Sequence, residues 1–134
     1  MSLIDNIKES EGFRDKVYQC TQGYDTIGYG FAIKDLILDE DIADMILERK
    51  LLKLEARIDR KFPFVEDLPR NAKDVVIEMC YQLGVSGFSK FKQSISLLRL
   101  GNYKDCADEL LNSRWARQTP NRANKLADIM RNVR

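Results

Sequence analysis

The pattern of apolar and polar positions separates a glycine-punctuated region near the start of the chain from a long helical remainder. Residues 3–11 place three apolar side chains on one face of a short helix, which Gly12 ends. Residues 13–33 mix aromatic and β-branched side chains with glycines, a pattern typical of a small antiparallel sheet with tight turns. From Asp39 onward, apolar positions recur at helical spacing almost to the end of the chain.

Prolines and glycines divide the helical remainder into segments. A helix over about 39–61 starts on acidic residues, which suit the positive end of the helix dipole, and stops before Pro63. Further helices are predicted over 69–84, which opens on Pro69 and closes at Gly84, and over 89–100, 103–113 and 120–132. The pattern therefore predicts an α+β fold in one domain, 1–134, with a sheet lobe over about 12–38, a connecting helix over about 39–61, and a helical lobe over about 69–134 plus 1–11.

Length and composition fit one soluble domain. The chain has 134 residues, of which 44% are apolar and 32% charged, and its formal net charge is +1. A near-neutral protein has no overall attraction to nucleic acid or to an anionic membrane. No apolar run approaches the ~18–20 residues of a membrane span, and the N-terminus lacks the apolar core of a signal peptide, so we expect a protein made in the cytosol.

The absence of histidine limits the chemistry most strongly. It excludes Ser-His-Asp triads, Cys-His dyads, His-ligated zinc sites and histidine proton shuttles. Acid–base catalysis near neutral pH must then come from perturbed carboxylates or thiols, or less often from Lys or Tyr. The sequence contains no phosphate-binding loop and no ligand cluster for a transition metal, so we expect neither a cofactor nor a metal.

The three cysteines do not suggest a disulfide framework. Cys20, Cys80 and Cys106 are odd in number, widely spaced and free of any CxxC motif, which favours a reducing compartment. Cys80 and Cys106 lie on apolar helix faces and are predicted to be core residues. Trp115 is predicted to anchor the same helical core.

Three other residues could carry chemistry, although each has an ordinary structural interpretation. Glu11 lies at the end of the first predicted helix, where the negative end of the dipole favours the protonated carboxyl that a general acid needs. Cys20 and Thr26 flank a turn near Gly23, and in an antiparallel hairpin they can project into the same space. A thiolate can act as base or nucleophile, and a threonine hydroxyl can hold a water molecule. On spacing alone, the better interpretation is that Cys20 is a small buried apolar residue and Thr26 an ordinary strand residue.

Charge is unevenly distributed along the chain. Residues 113–134 contain six Lys and Arg against one Asp, a net charge of +5, which leaves −4 for the rest. A basic segment can contact an anionic polymer, although a solvated helix face is the simpler interpretation.

Two stretches of sequence resemble a known family. Glu11-Gly12-Phe13-Arg14, then Cys20, then Thr26-Ile27-Gly28-Tyr29-Gly30 resemble the active-site region of phage-type lysozymes, the endolysins of glycoside hydrolase family 24. The family signature is Glu, eight residues, Asp or Cys, five residues, Thr, and it is matched here without a gap. The stretch from Ser113 to Ala123 is similar to the family's C-terminal Ser-Arg-Trp…Gln-Thr-Pro-Asn-Arg-Ala sequence, so the resemblance covers nearly the whole chain.

The resemblance implies a lysozyme-like fold and hydrolysis of the β-1,4 bond between N-acetylmuramic acid and N-acetylglucosamine in bacterial peptidoglycan, leading to lysis of the host cell. Glu11 is then the general acid, Cys20 takes the place of the family's Asp, and Thr26 orients the attacking water in an inverting reaction. Arg122 matches the family arginine that reaches across the cleft to the catalytic glutamate. The positions that match the family's glycan contacts are Ala32, Tyr81, Ser94 and Glu109, although core packing is an alternative role for Tyr81.

The sequence also departs from better-known family members. Phe31 replaces a histidine that many of them carry, and the short segment between Ile33 and Asp39 indicates that a helix of the sheet lobe is missing. We expect a monomer that binds peptidoglycan strands, does not bind nucleic acid and does not insert into membranes. It would stay in the host cytoplasm until the membrane is breached. The alternatives are a catalytically inactive peptidoglycan-binding domain on the same fold and a helical protein that binds nucleic acid through its basic C-terminal segment.

Overall fold

The structure, a computed structural model, describes residues 2–134 and has the predicted α+β composition. The helices are α1 (Leu3–Glu11), α2 (Glu40–Lys61), α3 (Arg70–Ser89), α4 (Lys92–Arg99), α5 (Tyr103–Leu111), α6 (Arg114–Gln118) and α7 (Pro120–Arg131). The strands are β1 (Arg14–Gln19), β2 (Asp25–Gly28) and β3 (Phe31–Ala32), and short 3₁₀ turns cover Ile33–Asp35 and Pro63–Asp67.

The chain divides into two compact units, one that ends at Asp44 and one that begins at Met45. Contacts group α1 with the sheet in the N-terminal unit. The predicted single domain, in which residues 1–11 join the helical lobe, stays a prediction.

In the N-terminal unit, local hydrogen bonds define the ends of α1 and the order of the sheet. Ser2 and Asp5 form a capping box at the start of α1, and Gly12, with a φ of 71°, ends it. The three strands form one antiparallel sheet in the order β1-β2-β3. Thr26 is the central residue of this sheet because it pairs with Tyr18 on β1 and with Ala32 on β3.

The C-terminal unit contains the hydrophobic core. Ile58, Val76, Met79, Leu98, Leu110, Leu126 and Met130 are among its buried side chains. The predicted core positions of Cys80, Cys106 and Trp115 are confirmed, since all three are buried. The indole Nε1 of Trp115 donates a hydrogen bond to Oε1 of Gln82 at 3.0 Å, which satisfies the polar atom of this buried ring.

The predicted helix end at Gly84 is confirmed, but the helical segment that follows it was missed. Gly84 has a φ of 79° and a ψ of 160°, which are not helical values, so α3 consists of two helical segments that meet at a kink, the second of which ends at Ser89. The helix resumes because Val85 and Phe88, directly after the kink, are buried in the core. The prediction also missed α6, a short helix that begins where the Ser113 hydroxyl accepts a hydrogen bond from the amide of Ala116 at 3.2 Å.

Ion pairs connect α2 to α3. Lys73 Nζ lies 2.9 Å from Glu55 Oε1 and 3.3 Å from Asp59 Oδ2, and Arg70 contacts Glu55 and Asp74 at 3.2 and 2.8 Å. The hydrogen bond from Lys73 lowers the pKa of Glu55, and the hydrogen bond to Glu55 raises the pKa of Lys73. The acidic side of α2 is therefore occupied by the cations of α3.

Within residues 2–134, each helix is either too short or too polar to cross a bilayer.

Candidate functional site

Cys20 directly follows β1, at the start of the turn that joins β1 to β2. Its amide donates to the carbonyl of Tyr24 at 3.0 Å, and the amide of Gly23 donates to the Cys20 carbonyl at 2.8 Å, which closes a tight turn. Thr26, in β2, lies two residues after Tyr24. Because side chains alternate between the faces of a strand, this register places Cys20 and Thr26 on the same face of the hairpin.

The turn stabilises the ionised form of the Cys20 thiol. The backbone N–H of Tyr24 is the main cause of a pKa lowered from 9.0, and the backbone N–H of Gln22 adds to it. Burial acts in the opposite direction, and the Thr26 hydroxyl makes a smaller favourable contribution. Hydrogen bonds to a thiolate favour the charged form in the same way as hydrogen bonds to a carboxylate. At a given pH, a larger fraction of Cys20 is therefore ionised than of an ordinary cysteine.

The Thr26 hydroxyl donates its hydrogen bond to the backbone. Thr26 is only 3% exposed, and its hydroxyl donates to the Tyr24 carbonyl at 2.9 Å. A hydroxyl has one proton, so while this bond is made the backbone amides carry the stabilisation of the thiolate. The Thr26 oxygen then has lone pairs left to accept a hydrogen bond from a water molecule. This arrangement can hold and orient a water beside the sulfur.

Glu11, the last residue of α1, rests on the turn between β2 and β3. A β-carbon at Gly30 would overlap Oε2 of Glu11 and would lie 3.0 Å from its Cδ, so any side chain there would displace this carboxyl from its position. Gly30 is two residues before Ala32, the strand partner of Thr26. The N-terminal unit thus contains Glu11, Cys20, Thr26 and Ala32 on the sheet or against one of its turns.

The other four predicted binding residues belong to the C-terminal unit, where they fall into two pairs. Tyr81 and Arg122 line a groove of about 660 Å³ formed by α2, α3 and α7. Tyr81 is 48% exposed, so it is not a core residue. Ser94 and Glu109 line a second groove of about 290 Å³ beside α4 and α5. Ser94 is a buried residue, and it contributes to the groove wall.

Arg122 has an ion-pair partner that the sequence did not indicate. Its Nε donates to Oε2 of Glu78 on α3 at 2.8 Å, which holds the guanidinium against the wall of the larger groove. The predicted contact of Arg122 with Glu11 stays a prediction.

Sequence reasoning also missed the backbone groups around Cys20 and the role of Gly30. Backbone amides have no residue type that marks them, and the only signal was Gly23 in the turn. For Gly30, the signal was a glycine in the Gly28-Tyr29-Gly30 stretch, which we interpreted only as a turn.

The three cysteines should differ sharply in reactivity. Burial raises the pKa of Cys80 and Cys106 to about 12, whereas that of Cys20 is lowered. Treatment of the folded protein with iodoacetamide near neutral pH should therefore alkylate Cys20 first, as measured by mass spectrometry of proteolytic peptides over time. In denaturant, where the protein is unfolded, the three cysteines should be alkylated at equal rates. A folded protein in which Cys80 or Cys106 reacts as fast as Cys20 would contradict the proposed environment of the thiol.

Comparisons with known proteins give one consistent family. The family description Phage lysozyme matches residues 8–131. Probable T4-type lysozyme 1 of Dictyostelium discoideum is 28% identical over 159 aligned positions, which cover 96% of this chain and 93% of the relative. The Endolysin of Acyrthosiphon pisum secondary endosymbiont phage 1 is 27% identical over 119 positions, which cover 86% of this chain and 77% of that relative. The Pre-baseplate central spike protein Gp5 of Enterobacteria phage T4 is 25% identical, with 97% of this chain matching 28% of that protein.

The relatives differ from this chain in length as well as in sequence. The alignment with the Dictyostelium relative spans 159 positions, more than the 134 residues of this chain, so the relative has insertions. The family match covers both units and includes Glu11, Cys20 and Thr26. The fold is lysozyme-like, as the resemblance implied, and the chain belongs to the phage lysozyme family.

Proposed function

We propose that this protein is a muramidase that hydrolyses the β-1,4 bond between N-acetylmuramic acid and N-acetylglucosamine in peptidoglycan with inversion at the anomeric carbon. Membership of the phage lysozyme family supports a lysozyme-like function. The observation that carries the finer proposal is the paired environment of Cys20 and Thr26: amide-stabilised sulfur beside a hydroxyl oxygen with free lone pairs.

The proposed reaction assigns one proton transfer to each side of the bond. Glu11 gives its proton to the leaving glycosidic oxygen as the bond to the anomeric carbon breaks. A water molecule that donates one hydrogen bond to Thr26 directs a lone pair at that carbon and loses its other proton to the Cys20 thiolate. The products are a new reducing end of inverted configuration and a free 4-hydroxyl. Glu11 is then ionised and Cys20 protonated, and exchange with solvent restores both.

A thiolate also suits the charge that develops during the reaction. The transition state resembles an oxocarbenium ion, so a negative group beside the anomeric carbon stabilises it. A neutral thiol would neither accept the proton of water well nor offset the positive charge. The Tyr24 and Gln22 amides, which favour the thiolate, therefore support the replacement of the family's Asp by Cys20.

The two grooves of the C-terminal unit are candidate sites for the glycan strand and its peptide. Tyr81 supplies a half-exposed aromatic face and a hydroxyl, both suited to sugars, and Arg122 supplies guanidinium N–H groups. Ser94 and Glu109 supply a hydroxyl and a carboxylate in the smaller groove. The protein would be a monomer, held in the host cytoplasm until the membrane is disrupted and then acting on the cell wall.

Substitution of the proposed general acid tests the bond and the residue together. Glu11→Gln should lower hydrolysis by about 10²-fold or more, because an amide cannot deliver the proton to the leaving oxygen. Analysis of the released muropeptides should show new reducing ends at N-acetylmuramic acid for the wild type. Glu9→Gln, the same change on the exposed part of the same helix, should keep wild-type activity. New reducing ends at N-acetylglucosamine would reject the proposed bond. A wild-type protein that binds peptidoglycan but does not hydrolyse it would favour an inactive peptidoglycan-binding domain.

Replacing the thiol by a carboxyl should move the pH dependence. The base must be ionised, so activity rises as pH passes upward through the pKa of Cys20, which lies below 9.0. Cys20→Asp should shift this acidic limb to lower pH, because the ordinary pKa of Asp is ~3.9. Cys20→Ser should be nearly inactive across the range. An unmoved limb in Cys20→Asp, or full activity after confirmed alkylation of Cys20, would show that the sulfur is not the base.

The close contact of Gly30 with Glu11 gives a test that leaves the catalytic groups in place. Gly30→Ala should displace the Glu11 carboxyl and reduce the hydrolysis rate about tenfold or more, since small misplacements of reacting groups are costly. Gly101→Ala is the matched control: Gly101, in the C-terminal unit, also has a positive φ, but an added β-carbon there meets no atom within 4 Å. Both variants should lose about 1–2 kcal/mol of unfolding free energy from backbone strain. Equal loss of activity in the two variants would reject the proposed role of Gly30.

A further inference from the structure

Helix α2 carries a cationic stripe that the proposed hydrolysis does not use. The stripe consists of six exposed side chains between residues 49 and 61, all in the C-terminal unit: Arg49, Lys50, Lys53, Arg57, Arg60 and Lys61. At 3.6 residues per turn these positions fall within an arc of about 120° and extend over about 18 Å. Every residue of this part of α2 that falls in that arc is basic.

Intramolecular charges do not neutralise the stripe. Among residues 2–134, none of its six members forms an ion pair with a carboxylate. The acids on the other side of α2 that could compensate, Glu55 and Asp59, are held by Lys73 of α3 at 2.9 and 3.3 Å. The positive charge of the stripe is therefore available to a partner.

The stripe also works against the stability of the helix that carries it. Arg49, Lys53, Arg57 and Lys61 follow one another at intervals of four residues, so each neighbouring pair brings like charges together on the helix surface. Only Arg60 and Lys61 lie in the last turn, where a cation is favoured by the helix dipole. An ordinary solvated helix face mixes both signs of charge, and this face does not.

We propose that the stripe is a peripheral docking surface for an anionic phospholipid bilayer. Clusters of four to eight Lys and Arg on a helix are typical of contact with anionic lipid headgroups. The stripe contains no Asn, Gln, Ser, Thr or aromatic side chain, the types that accompany cations in nucleic-acid sites, so a smooth charged surface fits better than a nucleic acid. The contact is electrostatic and superficial, because the opposite face of α2 is committed to the core through Ile58.

This surface would keep the protein at the membrane without insertion. It uses residues distinct from Glu11, Cys20 and Thr26, so the docking proposal and the proposed hydrolysis can fail separately. An assay of isolated peptidoglycan in the absence of lipid tests the proposed hydrolysis alone.

Vesicle sedimentation with the full chain tests the proposal. The wild type should bind vesicles made of equal parts phosphatidylcholine and phosphatidylglycerol at low salt, release them at high salt, and ignore pure phosphatidylcholine. The triple variant Lys53→Gln, Arg57→Gln, Arg60→Gln should bind the anionic vesicles at least about tenfold more weakly, since each cation near such a surface contributes favourably. Far-ultraviolet circular dichroism should show that its helix content is unchanged.

Two controls separate the stripe from net charge and from folding defects. Lys104→Gln, Arg117→Gln, Arg134→Gln removes the same charge from three exposed cations outside the stripe and should bind like the wild type. Lys53→Arg, Arg57→Lys, Arg60→Lys keeps the charge and should also retain binding. Equal losses in the two glutamine variants, or a wild type that does not bind anionic vesicles, would overturn the proposal. So would a stripe variant that loses affinity for duplex DNA while its vesicle binding is unchanged.

Discussion

The hydrogen-bonded turn between Cys20 and Tyr24 is the constraint on which the candidate site depends. It closes the β1–β2 hairpin, sets the register that puts Cys20 and Thr26 on one face, and directs the amides of Gln22 and Tyr24 towards the sulfur. The carbonyl of the same Tyr24 residue accepts a hydrogen bond from the Thr26 hydroxyl. One peptide segment therefore controls both the charge of the thiol and the hydrogen-bonding state of the hydroxyl, which makes backbone geometry as important to this site as residue identity.

Periodicity predicted the elements well where local preferences and burial agree. The end of α1 at Gly12, the hairpins and the helix that ends at Lys61 all follow from local residue preferences. Gly84 breaks the helix as predicted, but the pattern did not show that tertiary burial of Val85 and Phe88 restarts a helix immediately afterwards. For the candidate site, the spacing of Glu11, Cys20 and Thr26 singled out the residues. The amides that stabilise the thiolate, the seat of Glu11 on Gly30 and the Glu78 partner of Arg122 depend on side-chain and backbone positions that no linear pattern encodes.

The net charge of this chain averages over a very uneven distribution of charged residues. The overall value of +1 conceals a strong division: the unit ending at Asp44 contains four Lys and Arg against ten Asp and Glu, whereas the unit from Met45 contains eighteen against eleven. Within the second unit the ion pairs between α2 and α3 use acids that could have balanced the outer face of α2. Packing thus concentrates positive charge on one face of a protein whose composition suggests none.

The lack of histidine, together with the deep burial of two cysteines, has a consequence for the behaviour of the molecule in environments of different acidity. Histidine is the residue type whose ordinary pKa lies in the physiological range, and Cys80 and Cys106, with a pKa raised to about 12, remain neutral thiols there. The charge difference between the two units consequently varies little between mildly acidic and mildly alkaline conditions. Of the three thiols, Cys20 is the one that ionises most readily, because its pKa is lowered where theirs are raised.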